Sequence, residues 1–287
     1  MPFVFSAQAT ERLDPAERCI EDRRDNPVPG RRTKFRLLQQ NILAYTFPFI
    51  PGFAAPGVNS LSFPALVQRA LDNAVAEGRL LYGRDFEVES NALAKVAGDI
   101  FEKLEAAVHW TAAARWNRYM VQGEWLPTPR YPRPALPPSV SRQVAVLSLP
   151  RNYDWVRLLT QEARDSVGQL RAELAEHGLS LPTSTPDILV VVLPEQYRDD
   201  PRFQTELPSM NRDSQQSLDH AYRDFDGRIP PGGFILAIAL KKSLRSDRLY
   251  QPLYEANIMQ LLLEGRLSAP QVDFEVHTLT SAVHPSH

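Results

Sequence analysis

Two short apolar runs stand out from the pattern of hydrophobic and polar positions. They cover residues 234–240 and 188–193, and each meets charge at one end. Runs of this length are too short to cross a bilayer but fit strands that are buried on both faces of a sheet. Asp187 stands at the entrance of one run, and Lys241 and Lys242 follow the exit of the other. The pattern predicts two central strands with charged groups at their ends.

Weaker patterns predict the remaining elements. Strands are expected at residues 144–149 and 272–279, the second from its alternating apolar positions. Helices are predicted from Pro15 onward and at residues 34–45, 64–79, 90–108 and 155–176. A last helix is expected to have Pro252 in its first turn or at a kink near it, with Glu255 beside an apolar face formed by Tyr254, Ile258, Leu261 and Leu262. Strands separated by helices predict an α/β fold with a mixed central sheet flanked by helices.

The composition is that of a globular protein with local basic regions. With 287 residues, 43% of them hydrophobic, the chain can bury the core of one large domain. Its formal net charge of −2 argues against a protein that coats nucleic acid without specificity. The basic residues are nevertheless concentrated, with four in residues 31–36 and four in residues 241–248. Locally basic regions in a neutral protein suit an enzyme that binds DNA and then releases it.

Cysteine and histidine indicate little chemistry. Cys19 is the only cysteine, which excludes an intrachain disulfide and a cysteine-based zinc site, and it is expected to be buried. The six histidines have no spacing typical of metal ligands. The N-terminus lacks the apolar core of a signal peptide, and no apolar run is long enough to span a membrane. A cytoplasmic protein with no membrane partner is the expectation.

Asp187, Lys241 and Glu255 are the candidate catalytic groups, because they can converge at one edge of the predicted sheet. Two carboxylates can bind Mg²⁺, which offsets charge on a phosphodiester and activates a water, and an ammonium can orient that water. This arrangement is typical of the PD-(D/E)xK nucleases, although Ala239 occupies the usual position of the second acid, two residues before the lysine. Spacing alone favours the simpler interpretation, in which Asp187 caps a strand and Lys241 is solvated.

Several motifs carry a more specific resemblance. Residues 241–248, KKSLRSDR, are followed by Glu255 fourteen residues after Lys241. This pattern resembles the type II restriction endonucleases that recognise a CCGG core, such as NgoMIV, in which the second acid lies on the helix after the strand. The chain is most similar to the SgrAI-like members of that family, through AKVAGDIFE at 94–102, AARWN at 113–117, STPD at 184–187 and SLRSDRLYQPLYEAN at 243–257.

The resemblance implies an activity and its cofactor. A Mg²⁺-dependent enzyme, for which Mn²⁺ can substitute, would hydrolyse double-stranded DNA at a palindromic CCGG-containing site with degenerate flanks and leave 5′ phosphates. Asp187 and Glu255 would bind the metal, and Lys241 would position the water. Glu102, which by pattern alone is an exposed helix glutamate, would assist through a second metal site or its water. The expected partners are a second subunit in a homodimer, further dimers on DNA, and a cognate DNA methyltransferase.

The resemblance also implies DNA contacts. The residues expected to read the CCGG core are Arg245, Ser246, Asp247 and Arg248, because arginine donates twice to guanine and aspartate accepts from cytosine. Without the family, the same run fits a salt-bridged helix entrance. Arg31 lies in a Pro- and Gly-containing loop whose composition fits a solvated surface loop, whereas the resemblance favours an arm that reaches DNA. Lys95, on the helix of Glu102, is a further candidate contact.

Two features of organisation leave alternatives open. One endonuclease domain is expected over residues 1–287, with an N-terminal helical and arm region at 1–88 and a catalytic core at 89–279. Related chains continue beyond residue 279, so the chain is expected to be shortened at its C-terminus. A catalytically weak or inactive DNA-binding homologue is therefore the alternative function. A structure-specific repair nuclease is a third possibility, which the motif RSDR at 245–248 disfavours.

Overall fold

The computed structural model describes residues 14–23, 35–48, 62–123, 142–183, 185–243 and 246–280, without the side chains at 15, 85, 246–249 and 280. The chain divides into two compact units. The N-terminal unit comprises residues 1–104 and 208–216, and the sheet unit comprises residues 105–207 and 217–287. The single-domain organisation expected from the sequence, with its boundary at residue 88, stays a prediction.

Within the described residues, regular structure comprises six strands and six α-helices. The strands are β1 (Ile20–Asp22), β2 (Phe35–Leu37), β3 (Val144–Ser148), β4 (Ile188–Val192), β5 (Phe234–Ser243) and β6 (Asp273–Thr280). The helices are α1 (Gln39–Thr46), α2 (Phe63–Tyr82), α3 (Ser90–Gln122), α4 (Gln161–Glu176), α5 (Arg212–His220) and α6 (Ser246–Gln260). A π-helical turn, Leu261–Arg266, extends α6.

The sheet unit is built on a four-stranded sheet of order β3-β4-β5-β6. The pairs β3/β4 and β4/β5 are antiparallel, whereas β5 and β6 are parallel. Parallel neighbours need a crossover connection, and α6 supplies it between β5 and β6. The centre of β5 is fully buried, as its apolar run predicted: Ala237, Ile238 and Ala239 have no exposed surface. The predicted α/β fold with a mixed central sheet flanked by helices is confirmed.

The helices predicted at the start of the chain are partly wrong. Only Pro15–Glu17 forms a helical turn, of 3-10 type, and the chain then enters β1, which pairs with β2 in a separate antiparallel sheet. The carboxylate of Glu77, buried on α2, accepts hydrogen bonds from the N–H groups of Cys19 and Ile20. These contacts join residues almost sixty positions apart, so local spacing could not reveal them. Cys19 is buried, as expected.

The helix predicted at residues 155–176 is interrupted. A 3-10 turn, Trp155–Leu158, precedes α4, and Leu159 forms an isolated bridge with Ile229. The N–H of Thr160 also donates to the carbonyl of Ile229 at 2.9 Å. A distant backbone segment therefore satisfies the groups that a continuous helix would have used internally.

Asn117 on α3 connects this helix by hydrogen bonds to β3, the first strand of the central sheet. Its side-chain oxygen accepts from the N–H of Val144, and its amide donates to the carbonyls of Val144 and Phe203, each at 2.7 Å. The residue has no exposed surface. One side chain therefore satisfies three backbone groups that are buried or partly buried.

Asn117→Ala is expected to lower the free energy of unfolding by about 3 kcal/mol, because it leaves these backbone groups without partners. Urea denaturation followed by circular dichroism measures the change. Asn91→Ala is the matched control, since Asn91 is exposed on the same helix and should shift the value by less than about 0.5 kcal/mol. Equal changes in the two variants would contradict the role given to Asn117.

Candidate active site

The entrance of β4 and the exit of β5 meet at the same edge of the sheet, because the two strands are antiparallel. Ile188 pairs with Ile238, so the register continues to Asp187 opposite Ala239. Side chains at opposite positions project from the same face, and Lys241 lies two residues after Ala239 on that face. Asp187 and Lys241 therefore share one face at this edge.

The carboxylate of Asp187 is held against the backbone of β5. Its Oδ2 accepts a hydrogen bond of 2.6 Å from the N–H of Leu240, the residue before Lys241. Burial raises the pKa of Asp187 above its ordinary value, while the Leu240 hydrogen bond and the positive charges of Lys241 and Arg151 offset part of the rise. A cation bound at this carboxylate would therefore favour the ionised form that burial disfavours.

Arg151 is a member of the site that the sequence pattern did not reveal. It lies in the turn after β3, and its charge acts on Asp187. The end of β3 reaches this point because Ser148 pairs with Ile188, and the N–H of Leu149 donates to the carbonyl of Asp187. A basic residue just past a strand is a recognisable signal only when the neighbouring strand is known.

Glu255 is buried on α6, with only 3% of its surface exposed. The same side of the helix carries Ile258, Met259 and Leu262, all of them buried. Gln251, one turn earlier, donates a hydrogen bond of 2.9 Å to Oε1 of Glu255. Burial of a carboxylate is costly unless it is paired or binds a cation. Helix α6, which contacts β5, therefore brings a second oxygen donor into the sheet unit.

The predicted course of this last helix needs correction. α6 begins at Ser246, so Pro252 lies inside the helix and not near its first turn. Tyr254 and Leu261, predicted on the apolar face, are 41% and 50% exposed. The error has a physical cause, since a glutamate occupies one of the most buried positions of the helix and an apolar pattern cannot show that.

Glu102 and Lys95 lie in the N-terminal unit, on the first half of α3. Glu102 is partly buried, and its Oε1 is 3.9 Å from Nζ of Lys103. Lys95 is exposed and lines a cavity of about 740 Å³. Among the described residues, the wall of this cavity also carries Asp99 and the basic residues Arg23, Arg36 and Arg212, of which Arg23 and Arg36 form ion pairs with Glu21. A wall of this charge suits a polyanionic ligand.

Some of the predicted DNA contacts cannot be placed. Arg31 and Arg245 lie outside the described residues. Ser246, Asp247 and Arg248 form the first turn of α6, and their side chains lie outside the described part of the chain. Their roles stay predictions.

Comparison with known proteins identifies a family. A family model for the Cfr10I/Bse634I restriction endonucleases matches residues 49–285. The chain is similar to the crystal structure of the type IIF restriction endonuclease Bse634I with cognate DNA, with a TM-score of 0.64 and 18% identity over 91% of this chain and 80% of that chain. A second structure of Bse634I gives a TM-score of 0.63 and 19% identity over 91% and 79% of the two chains. No curated protein sequence matches.

Among the described residues, no helix has both the length and the apolar character that a membrane span requires.

The two kinds of comparison support different statements. The structural likeness, at 18% and 19% identity, shows the fold. The family match extends over most of the chain, including the two central strands, Asp187, Lys241 and Glu255. The chain belongs to the Cfr10I/Bse634I restriction endonuclease family and is a type II restriction endonuclease, as the resemblance of its motifs predicted.

Proposed function

We propose that the enzyme cuts both strands of a palindromic CCGG-containing site with degenerate flanks, in a Mg²⁺-dependent hydrolysis that leaves 5′ phosphates. The observation that carries the catalytic part is the arrangement of Asp187 and Lys241. The acid is fixed to the backbone N–H of Leu240, directly before the lysine, and both groups lie on one face of the sheet. The specificity rests on the resemblance of residues 241–255 to the CCGG-core enzymes, as in SgrAI-like and NgoMIV-related chains.

The donor set fits a hard divalent cation. Asp187 and Glu255 offer carboxylate oxygens, which Mg²⁺ prefers, and the family generally uses divalent metal ions. The raised pKa of Asp187 supports the same assignment, because burial without a bound cation disfavours its charge. Bound Mg²⁺ would offset the negative charge on the scissile phosphate and favour ionisation of the attacking water, and Mn²⁺ could replace it.

Each catalytic residue has a distinct proposed role. Asp187 and Glu255 hold the cation. Lys241 orients the attacking water and donates to the phosphate, since an ammonium on the Asp187 face of β5 can reach both. Ala239, opposite Asp187, leaves that position without a carboxylate, so Glu255 on α6 supplies the second acid. Glu102 is assigned a supporting role through a second metal site, on the resemblance of GDIFE at 98–102 alone.

DNA is the proposed substrate. The similar Bse634I structure contains its cognate DNA. Lys95 would contact phosphates from the basic cavity of the N-terminal unit, whose arginines extend the same charge. Arg31 would contact DNA phosphates or the minor groove of the DNA from an extended arm. The CCGG core would be read by Arg245, Ser246, Asp247 and Arg248. A host that carries such an enzyme needs a methyltransferase of the same specificity.

A palindromic target calls for a two-fold dimer, and α6 offers a surface for it. Four large apolar residues on one side of α6 and its π-helical extension are exposed by 41–73%: Tyr250, Leu253, Tyr254 and Leu261. Exposed apolar stripes of this kind mark interaction surfaces. The same helix carries Glu255 on its buried side, so a dimer through this stripe would connect the two catalytic centres. Higher oligomers could then form on DNA from such dimers.

Leu253→Asp is expected to weaken the homodimer by at least about tenfold, because it places a charge in the centre of the apolar stripe. Sedimentation equilibrium of the purified protein measures the dissociation constant. Leu80→Asp is the matched control, since Leu80 is 48% exposed and lies on a different helix, α2. An unchanged dimer constant for Leu253→Asp would move the dimer surface elsewhere.

The proposed reaction is tested with plasmid DNA in Mg²⁺. Plasmid containing CCGG sites is incubated with the protein, beside a plasmid in which every CCGG is changed to GCGC, and the ends of the products are sequenced. Discrete fragments from the first plasmid and none from the second would support the CCGG site. Product ends that a kinase can label only after phosphatase treatment would support the 5′ phosphates. An uncut plasmid with folded protein that still shifts CCGG duplexes would favour the alternative, a weak or inactive DNA-binding homologue.

A further inference from the structure

Two histidines with no common motif in the sequence meet beside a buried glutamate in the sheet unit. Glu105 and His109 lie one turn apart on α3, and His277 lies on the edge strand β6. Nε2 of His109 is 3.6 Å from Oε2 of Glu105, and Nδ1 of His277 is 3.6 Å from its Oε1. One potential ligand atom from each of the three residues lies within 4.8 Å of the others.

We propose that Glu105, His109 and His277 bind a transition-metal ion of the Zn²⁺ type, at a site separate from the catalytic centre. Two imidazoles and one carboxylate are a ligand set that Zn²⁺ accepts, whereas Mg²⁺ prefers oxygen donors alone. A tetrahedral site with metal–ligand bonds of about 2.0–2.1 Å places its ligand atoms about 3.3 Å apart. The observed separations reach this value with small side-chain rotations, and a fourth position stays open to water.

The site lies on the opposite face of the sheet from Lys241. In the parallel pair β5/β6, His277 is opposite Leu240, and Thr278 is opposite Lys241. Successive residues of a strand project from alternate faces, so His277 shares the face of Leu240 and not that of Lys241. The two metal sites would therefore differ in location as well as in ligand type.

Glu275 supplies the supporting contact that metal-binding histidines usually have. Its Oε2 lies 2.8 Å from Nε2 of His277, the ring nitrogen that does not face Glu105. A carboxylate at this position accepts the N–H of Nε2 and leaves the lone pair of Nδ1 directed at the metal. The side chains of β6 and α3 would thus supply the carboxylate and the histidine of a carboxylate–histidine–metal arrangement.

A metal ion must compete with a proton at this cluster. Hydrogen bonding to Glu105 is the main effect that raises the pKa of His277 to about 9, with Glu275 adding to it, whereas burial lowers the pKa of His109. Without metal, an ion pair between Glu105 and protonated His277 satisfies the cluster. That ion pair is the competing explanation, and the experiment separates the two.

Metal-depleted full-length protein is titrated with Zn²⁺ in a calorimeter, and the melting temperature is recorded with and without Zn²⁺. We expect one Zn²⁺ per chain, a higher melting temperature with Zn²⁺, and visible d–d absorption when Co²⁺ replaces it. His109→Gln and His277→Asn should abolish all three signals, while Glu275→Gln should weaken binding by about 10–100-fold. Lys241→Ala should leave the Zn²⁺ signals unchanged, because the lysine lies on the other face.

Two control variants identify the source of any binding. His177→Gln removes an exposed histidine on the surface of the same unit, and His284→Ala with His287→Ala removes the two terminal histidines, which lie outside the described residues. Both controls should retain the signals. Absence of stoichiometric Zn²⁺ binding would overturn the proposal, and so would binding that is lost only with His284 and His287. If the histidine variants fail to fold, Glu105→Gln, which keeps the size of the side chain, takes their place. This variant should also lose the Zn²⁺ signals, and unchanged Zn²⁺ binding would overturn the proposal.

Discussion

Asp187→Asn is expected to reduce DNA cleavage by at least about a thousandfold, because the amide is a poor ligand for the cation that the site needs. Metal-ion catalysis lowers the activation barrier by several kcal/mol, and each 1.4 kcal/mol is about a factor of ten in rate. The fold should survive, since the amide oxygen can accept the same hydrogen bond from Leu240. Single-turnover cleavage of a CCGG duplex in Mg²⁺ measures the loss.

The same variant is expected to be more stable than the wild type without metal at neutral pH. Burial raises the pKa of Asp187 above its ordinary value of 3.8, so the folded protein binds that proton more tightly than the unfolded chain does. The resulting stabilisation is present below pH 3.8 and is lost as the pH rises through the folded-state pKa. Above that pKa the wild type carries a buried carboxylate, whereas the variant carries a neutral amide.

Thermal unfolding with chelator across a pH series measures this difference. The stability of the variant relative to the wild type should rise as the pH increases from 3.8, and the difference should level off above the folded-state pKa of Asp187. Mg²⁺ should raise the melting temperature of the wild type and leave that of the variant unchanged. Asp199→Asn, at an exposed aspartate, is the matched control and should alter neither cleavage nor stability. Normal cleavage by Asp187→Asn, or a stability gain that persists in acid, would contradict the assignment.

Lys241→Ala is expected to slow cleavage by about a hundredfold to ten-thousandfold, because in the proposed reaction the ammonium would position the water and stabilise charge at the phosphate. Its neighbour provides the control. Lys242 is exposed and, as the next residue of β5, projects from the opposite face of the sheet. Lys242→Ala should change the rate by no more than about twofold.

The comparison of the two lysines also tests the strand register. Cleavage rates are measured under single-turnover conditions, with DNA binding recorded in parallel by gel shift, so that loss of affinity is separated from loss of chemistry. Equal losses of rate in the two variants would mean that the basic run acts as a whole on the DNA. A loss confined to Lys242→Ala would reverse the face assigned to the catalytic centre.

The central strands could be predicted because their signal is local. An apolar run of five to ten residues has few ways to be buried, and a charged residue at its end must lie at the edge of the sheet. For this reason the sequence predicts β4 and β5 to within a few residues, and the weaker patterns at β3 and at the alternating β6 predict those strands equally closely. The lysine of the candidate site followed from the same reasoning.

The N-terminal elements could not be predicted in this way, because their conformation depends on distant partners. Residues 35–37 form a strand by pairing with β1, and the turn before β1 is fixed by the carboxylate of Glu77. Local helix propensity is weaker than such tertiary hydrogen bonds and yields to them. The break before α4 has the same cause in the backbone of Ile229.

By itself the sequence determined the α/β class and the two central strands with Asp187 and Lys241 at their ends, because runs of apolar residues and the charges at their ends act over short distances. Only the tertiary structure decided which groups meet. The antiparallel register joins Asp187 to Leu240, the end of β3 brings Arg151 near them, and the pairing of β5 with β6 places His277 beside α3. The physical reason is that register and crossover fix positions between residues far apart in the chain, and no local pattern records them.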